Sequence, residues 1–129
     1  MNKPFFERQP VELNVLGAPL ALCSMHPLAG FFRNGHCSAG ADGSARHTVC
    51  IVATDAFLAF SKSRGNDLST PMPQYTFPGL KDGDRWCLLA PRWVEALEAG
   101  MAPQVVLAAT HQMVLRYVEI EVLRRYAVD

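Results

Sequence analysis

The stretch His47-Thr48-Val49-Cys50-Ile51-Val52-Ala53-Thr54-Asp55-Ala56-Phe57-Leu58 decides the fold. Its first half is dense in β-branched residues. Two heavy atoms on Cβ stiffen χ1 and favour an extended, pleated chain. His47 to Thr54 therefore reads as a strand. At Thr54 the pattern changes. A threonine hydroxyl can accept a first-turn amide, and Asp55 sets an anion at the positive end of a helix dipole. Phe57, Leu58 and Phe60 then supply an apolar stripe, and Gly65 is a fitting stop.

The same order recurs downstream. Lys81-Asp82-Gly83-Asp84 is a turn, and Arg85 to Ala90 reads as a second strand. Pro91 sits where a first helical turn accepts proline. Trp93, Val94, Leu97 and Met101 keep helical spacing, with Glu95 and Glu98 outside and Gly100 near the end. Val105 to Ala108 reads as a third strand. Thr110 is expected to cap a helix with Met113, Val114, Tyr117 and Val118 inward. A short last helix uses Ile120, Leu123 and Tyr126, with Glu121 and Arg125 paired outside. This alternation predicts an α+β fold: a two-layer sandwich of a small sheet with helices packed on one face. A small parallel βαβ unit is the competing arrangement.

The remainder is irregular. Residues 1–13 read as a flexible N-terminal arm, and residues 14–129 as a single α+β domain. Asn14 to Gly43 is broken by Gly17, Pro19, Pro27, Gly30, Gly35 and Gly40. Leu16, Leu20, Leu22, Phe31 and Phe32 are expected to anchor it to the core. Asn66 to Leu80 is broken by Pro71, Pro73 and Pro78. A segment this long without regular structure is often functional.

Composition narrows the function. The 129 residues are 50% hydrophobic and 19% charged, enough for one domain with a real core. Twelve basic residues balance twelve acidic ones, so no nucleic-acid partner is expected. The apolar runs are far shorter than the ~20 residues of a membrane span. Met1 to Arg8 has no apolar leader core, so a cytoplasmic location is expected. In that reducing compartment the four cysteines are expected as free thiols or metal ligands rather than disulfides.

Several phrases together resemble one bacterial family. They are Asn14-Val15-Leu16-Gly17, Gly30-Phe31-Phe32-Arg33, Arg46-His47-Thr48-Val49-Cys50, the run Phe60 to Pro71, Phe77-Pro78-Gly79-Leu80, Gly83-Asp84-Arg85-Trp86-Cys87-Leu88 and Ala109-Thr110-His111. The chain resembles the family catalogued as domain of unknown function 2237. The resemblance spans nearly all of it after the arm. It implies a small stand-alone α+β domain and no assigned activity.

The candidate chemistry lies in the cysteines and their neighbours. Strand alternation puts Arg46, Thr48 and Cys50 on one face, and Arg85 and Cys87 on one face of the second strand. A neighbouring arginine favours the thiolate. Cys50 and Cys87 are therefore the candidate nucleophiles. Arg46, Arg64, Asn66, Asp67 and Arg85 are the candidate ligand-binding set for a small polar or anionic ligand. The structural alternative leaves the arginines at strand ends in solvent and the thiols in the core, with Asp67 and Asp84 pairing arginines. No cofactor is assigned. The alternative is a structural zinc domain using Cys23, Cys37, Cys50 and Cys87, although these lack the close ligand pairs usual in such sites. A further alternative is a homodimer through a patch including Phe5, Phe6, Met72 or Tyr75.

Overall fold

The computed structural model describes residues 11–129. Three strands form one antiparallel sheet in the order β2-β1-β3, with β1 at His47–Val52, β2 at Arg85–Leu89 and β3 at Gln104–Val105. Helix α1 spans Asp55–Ser63, α2 Ala90–Glu98 and α3 Ile120–Arg125. The α+β class is thus present, and the parallel alternative is excluded because both pairings of β1 are antiparallel.

Local chemistry explains the first unit. The Thr54 hydroxyl accepts the Phe57 amide at 3.1 Å, and Asp55 lies in the first turn of α1. Gly65, at φ 87°, ends it. In the second unit Pro91 lies within the first helical turn of α2, where a missing N–H costs nothing.

Register decides what each sheet face carries. Val49 pairs with Leu88, Cys50 with Cys87, and Ile51 with Trp86. Directly opposed residues share a face. Val49, Ile51 and Leu88 pack with Phe57 and Leu58 of α1, Trp93 and Ala96 of α2, and Leu123 of α3. Trp93 is fully buried and its indole N–H donates to the Pro103 carbonyl at 3.2 Å. Cys50 and Cys87 join Cys23, Ala29, Cys37, Val106 and Ala109 in a second apolar cluster. The helices therefore cover one face, and the irregular segment between Cys23 and Ala45 covers the other.

Three local expectations change. The third strand is only Gln104–Val105, because the chain tightens into a 3₁₀ turn at Leu107–Ala109. Thr110 does not cap a helix. Its hydroxyl is fully buried, donates to the Val106 carbonyl and accepts the Cys50 amide. The cap is His111, whose Nδ1 accepts the Met113 amide at 3.0 Å at the start of the 3₁₀ turn Gln112–Arg116. Finally, Leu16, Leu22, Phe31 and Phe32 are 46–59% exposed and do not anchor the irregular layer. The anchors are small: Ala29, Ala39, Ala45 and the two loop cysteines.

Residues 1–10 of the N-terminal arm lie outside the described residues. Glu12 and Leu13 are bonded into the domain. Leu13 bridges to Pro19. The Glu12 carboxylate accepts the Ser38 hydroxyl and the amides of Ala39 and Gly40, and contacts His111 Nε2 at 3.3 Å. Among the described residues no helix is long and apolar enough to cross a membrane.

Candidate functional site

Antiparallel pairing brings the cysteines together and drives the arginines apart. Cys50 and Cys87 are direct partners across the ladder. Arg85 faces Val52 at one end, while Arg46 lies at the other, where its carbonyl accepts the Ala90 amide. Six residues of strand, at roughly 3.3 Å each, set the two guanidinium-bearing positions about 20 Å apart. The two arginines and two thiols cannot meet in one pocket. Both arginines are exposed.

The thiol expectation is corrected as well. Cys23 is bonded to Cys50, and Cys37 to Cys87, so all four cysteines are paired. They are 0–4% exposed. Cys50 and Cys87 therefore offer no free thiolate in this state. Tertiary packing puts the irregular layer directly on the cysteine face of the sheet, a proximity with no sequence signal. The sulfurs of Cys23, Cys37 and Cys87 lie within 4.8 Å of one another, and the Cys50 sulfur is bonded to the first of these.

The remaining candidates disperse. Arg64 reaches Glu95 of α2 at 3.8 Å and lies over the Phe60 ring. The Asn66 amide donates to the Ser61 carbonyl in the last turn of α1, and the Ser61 hydroxyl donates to the Asn66 carbonyl. Asn66 lines a small cavity, about 130 Å³, with His47, Trp86 and Cys87. Asp67 binds only its own loop. It accepts the Thr70 hydroxyl at 2.6 Å and the amides of Ser69 and Thr70. The Thr70 hydroxyl first, then the Ser69 and Thr70 amides, lower its pKa to about 2. Asp84 accepts the Lys81 amide. Neither aspartate pairs an arginine among the described residues, so the expected pairing with Arg46 or Arg85 fails; a short side chain in a turn finds its own backbone first. The imidazole of His47 stacks on Phe31 at 5.9 Å, and its Nδ1 is buried without a hydrogen bond among the described residues. Burial lowers its pKa.

A wider cavity lies elsewhere. It is an open cleft of about 700 Å³ between the turn at Met25–Leu28 and the proline loop at Pro71–Pro78. Leu28, Pro71, Pro73 and Phe77 make an apolar wall, and Arg33 and His26 are its cationic or titratable members. Arg33 and Thr76 also line it. They are the two non-glycine residues with positive φ among the described residues, at 53° and 55°. For a β-branched threonine this is a genuine departure from the allowed regions. Gly79 supports the loop. It stands at φ 80°, with the Ser69 carbonyl where a side chain would be. The prolines marked the loop in the sequence; nothing there paired it with the Met25 turn or marked Arg33.

Residues 13–127 match the model of the family described as "Uncharacterized protein conserved in bacteria (DUF2237)". The chain belongs to this family. No curated protein matches it. In this DUF2237 chain the match runs from the Leu13 bridge to the end of α3 and beyond. It takes in the cleft, both disulfides and the whole sheet.

Proposed function

We propose that this DUF2237 domain binds a small anionic ligand with an apolar body in the cleft between Met25–Leu28 and Pro71–Pro78. The observation that carries this reading is the coincidence of backbone strain with the cleft. Arg33 and Thr76 both line it, and both are held in the left-handed region. Such residues cost of order 1–3 kcal/mol each and gather where geometry serves a site. Prolines and Phe77 suit a flat apolar body, since concave sites are mostly apolar with a few placed polar groups. Arg33 supplies a permanent planar cation for a carboxylate or phosphate. His26 stands on the same rim.

This keeps the expected class of ligand and changes the cation that receives it. Arg46, Arg64 and Arg85 belong to other surfaces. The paired cysteines have no part in it.

The test uses phenyl phosphate and phenylacetate as probes, followed by amide chemical shifts. Shifts concentrated at Leu28, Arg33, Thr76 and Phe77 support the reading. Shifts scattered over the surface, or unchanged binding by Arg33→Gln, overturn it. A second reading is a homodimer through exposed apolar side chains. Met25, Phe31, Phe32, Met72 and Tyr75 are all 39–64% exposed, which favours an apolar contact. A solution mass of two chains that falls to one with Phe31→Ser and Tyr75→Ser would carry it. A mass of one chain at all concentrations removes it.

A further inference from the structure

The buried sulfur cluster is an unusual use of four cysteines. Both disulfides join the same loop layer to the same two neighbouring strands. Cys50 and Cys87 are held side by side by the β1–β2 ladder. Cys23 and Cys37 are held near each other by their own loop: the Cys23 amide donates to the Gly35 carbonyl at 2.8 Å, and the Gly35 amide to the Ala29 carbonyl at 2.9 Å. Three sulfurs, of Cys23, Cys37 and Cys87, thus lie together, and the Cys50 sulfur adjoins them through its bond to Cys23, on backbones also held by ladder and loop hydrogen bonds.

We propose that, once reduced, Cys23, Cys37, Cys50 and Cys87 form a tetrathiolate site for a single Zn²⁺ ion. With Zn–S near 2.3 Å, a tetrahedral site needs sulfurs about 3.8 Å apart. The Cys23 sulfur already lies within 4.8 Å of both sulfurs of the Cys37–Cys87 disulfide. Bonded partners have only to open from about 2 Å. Side-chain rotations cover both changes. The spatial pair Cys50 and Cys87, set by register, replaces the close sequence pair that such sites ordinarily use. Ala29, Val106 and Ala109 surround the cluster and supply no competing ligand. The inference is independent of the cleft.

The chemistry balances. Two equivalents of a phosphine reduce the two disulfides. Each phosphine takes an oxygen from water and leaves as its oxide, and each disulfide gains two electrons and two protons to give two thiols. The four thiols then release four protons to solvent as thiolates bind Zn²⁺, whose oxidation state does not change. In a compartment kept reducing by thiols the metal holds the loop layer on the sheet. In an oxidising one the disulfides do.

The test takes the full chain, reduced with a phosphine under argon and desalted, and titrates it with Co²⁺ alone and then Zn²⁺. The expected result is a thiolate charge-transfer band with intense tetrahedral d–d absorption, saturating at one Co²⁺ per chain and bleached by one equivalent of Zn²⁺. Zinc should also protect all four thiols from iodoacetamide, read by intact mass. The oxidised chain should show neither effect. Cys50→Ser should lose the one-to-one saturation. The alkylation result on the unmodified sequence decides the matter even if that variant fails to fold. No Co²⁺ binding by the reduced chain, a weak octahedral spectrum, or protection of fewer than four thiols would overturn the proposal.

Discussion

At Arg33 and Thr76 the backbone holds conformations that glycine would adopt freely. Arg33→Gly removes both the strain and the cation. It should leave stability unchanged or raise it by up to about 1 kcal/mol, since the relief of left-handed strain is partly offset by glycine's extra unfolded freedom. Probe binding at the cleft should be lost at the same time. Denaturant unfolding and the shift titration together check this; a stability loss above about 1 kcal/mol would show that Arg33 is a structural residue. Two glycines make a sharper pair. Gly65 and Gly79 both have positive φ, but a Cβ at Gly65 meets nothing within 4 Å, whereas one at Gly79 collides with the Ser69 carbonyl. Gly65→Ala should cost about 1 kcal/mol from conformation alone. Gly79→Ala should cost more and should disturb amides from Leu68 to Leu80. Equal costs would mean that the Ser69 contact is not rigid. Asp67 is a residue whose behaviour is local. Its carboxyl should titrate near 2 by NMR, because Thr70 and Ser69 bond the ionised form. The loop hydrogen bonds should therefore persist through mild acid.

At the scale of elements, the N-terminal segment and the 3₁₀ turn at Gln112–Arg116 share one clasp. His111 Nδ1 accepts the Met113 amide, so Nε2 carries the proton and donates to Glu12. The contact is thus a hydrogen bond from a neutral imidazole. Burial lowers the His111 pKa against the upward pull of Glu12. Burial raises that of Glu12, but hydrogen bonds from Ser38, Ala39 and Gly40 outweigh it and the net direction is down. Both groups, and His47, lie below their ordinary values, so each favours its deprotonated form in the fold. Their stabilisation is complete above the ordinary values. It falls first as pH drops below 6.5 for the histidines, then below 4.5 for Glu12. Urea midpoints measured from pH 8 to pH 4 should decline in that order, and a flat profile would refute the clasp. Glu12→Gln should cost about 1 kcal/mol at pH 7, modest because the carboxylate is partly solvated, and should speed hydrogen exchange at Ala39 and Gly40. The caps behave as sequence chemistry dictates. Thr54 was readable because its hydroxyl acts on its own first turn. The role of Thr110 was not, because its hydroxyl accepts the amide of Cys50, sixty positions away on a strand that only folding brings near.

For the whole molecule, the disulfides join residues 27 and 50 positions apart. Loop-closure entropy for spans of this length gives roughly 3.5 and 4 kcal/mol, and the overlap of the two loops makes the total less than the sum. Reduction without metal should therefore lower the unfolding free energy by about 4–7 kcal/mol, read as a lower urea midpoint, with the loss centred on the layer from Cys23 to Ala45. An unchanged midpoint would mean that the small apolar anchors suffice. The layer itself explains the architecture. A three-stranded sheet needs both faces covered if both are apolar, and here helices cover one. The other is covered by a segment too broken by glycine and proline to form an element, so cross-links and alanines hold it while Leu22, Phe31 and Phe32 stay exposed.

Sequence alone determined the strand–helix order, the α+β class, the cap at Thr54, the first-turn proline Pro91 and the family. Each depends on residues close together in the chain, where periodicity, dipoles and backbone sterics act directly. Tertiary structure alone decided the cysteine pairing, the separation of Arg46 from Arg85, and the meeting of the Met25 turn with the proline loop. Those depend on antiparallel register and on which layer lies on which face. A register brings together residues tens of positions apart, and the local pattern of either strand carries no record of its partner.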